Sequence, residues 1–323
     1  MDSKPKRVSA LTLTGLLEVT AGLLCLASVT GFLGRLWWLF ELPSHFRLQL
    51  AFALGLLAVV WSVRRRWPMA VVCGALALVN ASLVLSLFWP AGKNLPQSGP
   101  RLRLVSLNVN TANQRTDLVL DFLRKTDADV ILLMEVDDRW MNGLSPLNAL
   151  YAHRVSAPRE DNFGIVLFSR LPLTNSSIVE LGGADVPSIA TDIDWAGQVF
   201  FLLGTHPLPP GSSEYARQRN GQFKNIAALV CQQSRPAIVL GDLNVTPWSP
   251  YFSNLLKTGG LINTSQGLGL YNSWPSWFSW AGIPIDHCLV TPSWSVRSKR
   301  FGPQVGSYHL PVIIDLQLPA VRN

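Results

Sequence analysis

The chain has 323 residues, 48% of them hydrophobic, with a formal net charge of +7; a mean hydropathy of +0.24 is too apolar for an ordinary soluble enzyme. Residues 1–99 carry nine Lys/Arg against three acidic residues, and residues 100–323 carry 18 against 17. The basic excess therefore belongs to the apolar front end, which argues against a nonspecific nucleic-acid footprint on the remainder.

Residues 11–33 form an apolar run broken by one charge, Glu18. As a helix it spans about 35 Å, enough to cross a bilayer and longer than a signal-peptide core. Glu18, near its start, is expected within reach of water. Residues 48–63 lie at the lower limit for crossing, with Arg47 and Arg64–Arg66 placed to snorkel at the ends. Residues 69–89 make a third span, with Trp37, Trp38, Trp61, Trp67 and Trp89 flanking the three as interfacial residues do. Lys4, Lys6 and Arg7 precede the first span and Arg64–Arg66 follow the second. Three crossings put both clusters on the cytoplasmic side and the remainder of the chain on the other; if the short middle segment does not cross, the assignment reverses. Residues 91–100 have the Gly/Pro/Ser content of a linker. The chain is thus predicted to divide into an anchor of about three transmembrane helices (1–90), a linker (91–100) and a soluble domain (101–323).

In the soluble part, short apolar runs of strand length end in polar residues. Arg101–Leu107 ends at Asn108-Val-Asn110, and Asp129–Met134 ends at Glu135. Phe163–Phe168 follows Asp161-Asn162, Val199–Leu203 leads into Gly204-Thr-His206, and Ala237–Leu240 leads into Gly241-Asp242-Leu-Asn244. Ile285-Asp286-His287 opens another run, and Ser307-Tyr308-His309 precedes the last. Residues 116–125 and 213–233 read as amphipathic helices, the second with Ser212 or Ser213 as N-cap, so the class is α/β or α+β. Each polar residue alone is as readily a turn former or a structural histidine. Gathered at one sheet edge they suit phosphoryl chemistry: a hard carboxylate for Mg²⁺, an Asp or His to handle a proton, an amide to position water. There is no Gly-x-Ser-x-Gly elbow, Walker loop or His-Glu-x-x-His helix to support another class. Cys25 and Cys73 read as small buried hydrophobes; Cys231 and Cys288 have no zinc spacing, and a disulfide between them is open.

These ordered motifs, Asn108-Val-Asn110, the run ending at Glu135, Gly204-Thr-His206, Gly241-Asp242-Leu-Asn244, Pro284-Ile-Asp286-His287 and His309-Leu-Pro-Val, resemble those of the endonuclease/exonuclease/phosphatase (DNase I-like) superfamily across roughly residues 101–318. The helical front end further resembles its bacterial YafD-like branch. The resemblance implies a four-layer α/β/β/α sandwich with the site at one end. It implies Glu135 as the principal Mg²⁺ ligand (Mn²⁺ as substitute), with Asn108 beside it. Asp242 would orient or deprotonate water, Asn244 would hold phosphate or nucleophile, and His206 would contact phosphate. His309, steadied by Asp286, would act as general acid/base or charge stabiliser, and Asn162 would be a further phosphate contact. One departure stands out: the family's final Ser-Asp-His is Ser307-Tyr308-His309 here, and a phenol is no anionic ligand at neutral pH.

The segment 271–280, Tyr-Asn-Ser-Trp-Pro-Ser-Trp-Phe-Ser-Trp, is rich in aromatics that either stack on a base or dip into a lipid interface, or pack beneath the site; packing is the expected use. Arg217 and Arg219 are either phosphate contacts or solvated helix positions. The expected activity is hydrolysis of a phosphodiester, in a lipid headgroup or small phosphoester, by a protein integral to a bacterial inner membrane with its catalytic domain on the non-cytoplasmic side. The partners are then a phosphoester and the bilayer. Nuclease action on DNA or RNA is disfavoured by charge, a catalytically dead binding scaffold is motivated by Tyr308, and no protein partner is inferable.

Overall fold

The structure, a computed structural model, describes residues 12–90 and 100–318. Lys4, Lys6, Arg7 and the linker residues 91–99 lie outside the described residues.

The front end is a bundle of three long helical segments. Helix α1 (Leu13–Thr30) starts at Thr12, whose hydroxyl accepts from Gly15 N. A short α2 (Trp38–Glu41) runs through a 3₁₀ turn (Leu42–Phe46) into α3 (Arg47–Val63), and α4 (Trp67–Leu85) follows the Arg64–Arg66 turn. Three helices are long and apolar enough to cross a membrane: Leu13–Thr30, Trp38–Val63 and Trp67–Phe88. The middle one is longer than predicted, because the turn at 42–46 continues the helical path. Their outer faces are apolar and exposed, while Leu50, Leu54, Leu57, Trp61, Ala70 and Cys73 pack inside the bundle. Arg47 does not snorkel. It is buried, donating to Ser28 O and Asn80 Oδ1 at 3.0 Å each, so a polar knot ties the three helices together.

Beyond residue 100 the order is β1 (Leu102–Asn108), α5 (Thr116–Thr126), β2 (Val130–Met134), α6 (Asp138–Gly143), β3 (His153–Ala157), β4 (Ile165–Ser169), β5 (Leu173–Glu180), β6 (Pro187–Trp195), β7 (Gln198–Thr205), α7 (Ser213–Cys231), β8 (Ala237–Asp242), α8 (Pro250–Gly259), β9 (Ile262–Asn263), β10 (Asp286–Val290), β11 (Ser295–Phe301) and β12 (Val312–Gln317). One six-stranded sheet has the order β11-β12-β1-β2-β4-β3 and the other β5-β6-β7-β8-β10-β9. Strand alternation sorts the side chains into layers. Leu104, Leu132, Met134 and Leu167 meet Ile189, Leu202, Ile238 and Leu240 between the sheets. Val105, Leu107, Ile131 and Leu133 turn outward onto Val119, Leu123 and Trp140 of α5 and α6. Leu203 and Val239 turn outward onto Phe223, Ile226 and Phe252 of α7 and α8. Two sheets face to face with helices outside make the four-layer α/β/β/α sandwich. Ser212 caps α7, as its sequence predicts. Cys231 is exposed and Cys288 buried, both free, so the disulfide considered for them is absent.

Candidate active site

The strand ends converge as the register dictates. Parallel pairing of β1 with β2 sets Asn108 opposite Met134, one residue before Glu135. Antiparallel pairing of β8 with β10 sets Asp242 directly opposite Asp286. Asn108, Asn110, Glu135, Asn162, His206, Asp242, Asn244 and His309 all line one cavity of about 540 Å³.

Asp242 is the hub. Its Oδ2 lies 3.5 Å from His206 Nε2, 3.6 Å from His309 Nε2 and 3.3 Å from the Asn108 amide. Asn244 N donates to its other oxygen at 3.0 Å. Burial alone would raise its pKa, but His309 and His206 outweigh that and hold it well below the usual carboxylate range. His309 shows the mirror effect. Burial disfavours its charge, yet Asp286 and Asp242 raise its pKa to about 9, Asp286 through a 2.8 Å bond to Nδ1. Because Nδ1 donates to Asp286, Nε2 is the nitrogen turned to Asp242.

Glu135 is held by Asn108 Nδ2 at 2.8 Å and Thr111 N at 3.3 Å. Its backbone φ of 61° is left-handed, as are those of Asn110, Asn162 and Asn244. Asparagine tolerates that region; a glutamate there is strained, and such strain concentrates at functional sites. Gly241 is required for a different reason: a Cβ on it would sit 1.9 Å from Thr205 O. Asn244 Nδ2 donates to Pro207 O at 2.9 Å, and Phe163 packs its ring 5.3 Å from that of His206.

The donor set fits a divalent cation. Among the described residues no Lys or Arg pairs with Glu135, Asp242 or Asp286, and Asp286 Oδ1 is buried without a hydrogen-bond partner. Asp242, Asp286 and His309 offer ligand atoms within 4.8 Å of one another. Since His309 is already engaged by Asp286, that trio reads better as an acid–base unit. Glu135 could hold an ion, its carboxylate engaged by the neutral donors Asn108 Nδ2 and Thr111 N, while Asn108 Oδ1, the atom able to ligate, accepts from Asn110 N.

Two sequence expectations are corrected. The aromatic segment packs at the site only through Trp274, which lines the cavity: Trp277 is 67% exposed and Trp280 76%, with the Phe278 and Trp280 rings tilted against each other at 4.4 Å. Gln49 of α3 donates to Ala281 O and Gly282 O, which pins the end of that loop to α3. Arg219 is neither solvated nor a phosphate contact. It is fully buried and paired with Glu41 at 2.6 Å, whereas Arg217 is exposed beside Glu214. Tyr308 is 59% exposed at the cavity rim.

Sequence reasoning missed Leu42, His45 and Phe46, which belong to the connector between α2 and α3 and line the same cavity. The available signal was Glu41 and His45, titratable residues one helical turn apart between apolar runs.

A two-sheet α/β sandwich with paired carboxylates and histidines at the strand ends defines a DNase I-like protein. The chain belongs to the Endonuclease/Exonuclease/phosphatase family, whose sequence profile matches residues 105–309. Solved structures share the fold. A humanized TDP2 of D. rerio is 13% identical, covering 67% of this chain and 99% of that one, with a TM-score of 0.57. The human Nocturnin catalytic domain with bound sulfate is 21% identical, covering 70% and 96%, with a TM-score of 0.57. Beta toxin of Staphylococcus aureus is 20% identical, covering 66% and 99%, with a TM-score of 0.51. No curated protein sequence matches the chain.

Proposed function

We propose that this chain is a membrane-anchored, Mg²⁺-dependent phosphoesterase that hydrolyses a phosphodiester in a lipid headgroup or similar small phosphoester by attack of water. The observation that carries this reading is Asp242 set between His206 and His309, in one cavity with Glu135, Asn108 and Asn244. Glu135 and Asn108 would hold Mg²⁺ or Mn²⁺, which when bound neutralises charge on a phosphate oxygen. Asp242, ionised, accepts a hydrogen bond from the attacking water and fixes its direction. His206, Asn162 and the Asn244 loop contact the phosphate. His309, kept charged by Asp286, stands ready to give its Nε2 proton to the departing oxygen. Asp242 is also the group placed to take the proton that the water releases as the P–O bond forms, and His309, 3.6 Å from Asp242 Oδ2, regains its Nε2 proton from it after the leaving oxygen has been protonated.

The membrane unit is residues 1–90, the linker 91–100 and the catalytic domain 101–323. Both the connector 41–46 and the end of α4 touch the catalytic domain, while Arg64 bonds Thr14 at the opposite end of the bundle. With the basic turn far from the domain, the charge rule for loops supports a catalytic domain on the non-cytoplasmic side of a bacterial inner membrane. A lipid phosphoester is favoured over nucleic acid by the near-neutral domain, by the apolar cavity wall of Leu42, Phe46, Trp274, Ile283 and Ile285, and by exposed Trp277 and Trp280 beside α3. The dead-scaffold reading rests on Tyr308 alone, and the three carboxylates speak against it.

The test is the full chain in lipid nanodiscs, offered phospholipid, bis(p-nitrophenyl) phosphate and single-stranded DNA, with Mg²⁺ or EDTA. Metal-dependent phospholipid cleavage that disappears in Glu135→Ala and His309→Ala is expected. Cleavage that survives both substitutions, or EDTA, refutes the assignment.

A further inference from the structure

We infer that the connector between α2 and α3 is a working part of the active site, in which Glu41, acting through Arg219, is a positioning residue for the loop carrying Asp242 and Asn244. The inference rests on the phosphoesterase reading for its catalytic consequence.

The loop from β8 to α8 is held from two sides. On one side the catalytic domain holds it: Leu243 N donates to Ile285 O at 2.9 Å, and His287 Nε2 donates to Val245 O at 2.8 Å. The interleaved residues 244, 246 and 249 are held from the other side. Arg219 Nη1 donates to Asn244 O at 3.2 Å, while its Nη2 is 2.6 Å from Glu41 Oε2. The second Glu41 oxygen accepts from Ser249 Oγ at 2.6 Å, and Ser249 in turn caps α8. His45 Nδ1 meets Thr246 at both its hydroxyl, 3.0 Å, and its amide, 3.4 Å. Both carboxylate oxygens of Glu41 thus straddle the loop, and one helical turn along the connector His45 takes its middle.

The charged character of this clamp points to orientation as its purpose. Glu41 and Arg219 have no side-chain exposure, and among the described residues Glu41 is the one carboxylate paired with Arg219. A buried ion pair must overcome the desolvation of both partners, and apolar residues of similar size would glue two units together as well. What they would not do is aim a guanidinium at one carbonyl. Asn244 has a left-handed φ of 49°, its N–H holds the Asp242 carboxylate, and its side chain reaches Pro207 O. Fixing the Asn244 carbonyl fixes the peptide next to that N–H, and so the direction in which Asp242 presents Oδ2 to water. The membrane unit is then more than a tether, since undocking it leaves Arg219 without a counter-charge and this loop held on one side only.

The experiment uses the full chain in nanodiscs with bis(p-nitrophenyl) phosphate and Mg²⁺. It compares wild type, Glu41→Gln and the charge-free double variant Glu41→Leu/Arg219→Met, whose packing volume is kept so that it folds. The double variant is expected to match the wild-type melting temperature within a few degrees, yet to lose about 30-fold or more in kcat with KM changed less than about 3-fold. Glu41→Gln leaves the buried guanidinium without a counter-charge and is expected to melt at a lower temperature than the double variant while also losing kcat. Amide hydrogen exchange over residues 243–249 should speed by about tenfold or more in the double variant, with residues 130–135 unchanged. A folded double variant with wild-type kcat and wild-type loop exchange overturns the inference. So does a slow variant whose loop exchange is unaltered. If the wild type turns over no probe, the phosphoesterase reading is what fails, and the exchange measurement still decides whether Glu41 holds the loop.

Discussion

Asp242 and Asp286 face each other across neighbouring antiparallel strands, and His309 bridges them, with Nδ1 2.8 Å from Asp286 and Nε2 3.6 Å from Asp242. One imidazole between two carboxylates keeps its proton where an isolated buried histidine would lose it.

That arrangement sets a pH limit. Burial lowers the pKa of His309, but Asp286 and Asp242 carry it up to about 9, so the charged form persists through neutrality and is lost as pH rises past that value. The kcat of the wild type should therefore fall on the alkaline side near pH 9. In Asp286→Asn one raising charge is gone, and the alkaline limb should move to lower pH. A kcat–pH profile with an unmoved limb would sink the assignment of His309 as the acid.

Strain at Glu135 separates stability from function. Glycine and alanine both lack the carboxylate, so both Glu135→Gly and Glu135→Ala should lose Mn²⁺ binding by calorimetry. At φ 61° only glycine is unstrained. Glu135→Gly should be more stable than Glu135→Ala by about 1 kcal/mol in thermal unfolding. Equal stabilities would mean that the backbone relaxes at no cost.

His287 titrates with the opposite sign from His309. Burial, reinforced by Lys299, lowers its pKa to about 3, and it stays neutral while giving a hydrogen bond to Val245 O. Its unfolded value is near 6.5. The unfolded chain thus binds the extra proton between about pH 6.5 and 3, so stability is whole above that window and falls with acid. The slope contributed by this one group reaches about 1.4 kcal/mol per pH unit. His287→Gln should flatten the dependence of Tm on pH in that range. A slope identical to wild type would locate acid sensitivity elsewhere.

Gly241→Ala tests the close approach of β7 and β8. Its Cβ would meet Thr205 O at 1.9 Å, a backbone atom that cannot swing aside. The loss should exceed about 4 kcal/mol and show as a collapse in folded yield. A folded, active Gly241→Ala would contradict the strand geometry described above.

Much of the site was legible because strand ends announce themselves. An apolar run stopping at Asn108, Glu135 or Asp242 puts a polar group at a sheet edge whatever the topology, and all eight residues expected at the site do lie within one neighbourhood of cavity and contacts. What was misread involved contacts between distant segments. The loop carrying the exposed Trp277 and Trp280 is bonded at its end, Ala281 and Gly282, to Gln49, more than two hundred residues away. Arg219 read as either a phosphate contact or a solvated helix residue because its partner, Glu41, lies 178 positions earlier.

The sequence by itself determined the apolar spans, the alternation that sorts the sandwich into layers, and the chemical identities at the strand ends, because hydrophobic periodicity and residue chemistry are local properties. The three-dimensional fold is what sets Asp242 opposite Asp286, places His309 between the two carboxylates, and brings Leu42, His45 and Phe46 into one wall of the cavity. Those outcomes depend on strand register and on which buried charges meet, and the energy of a buried charge is set by its neighbours in space rather than in the chain.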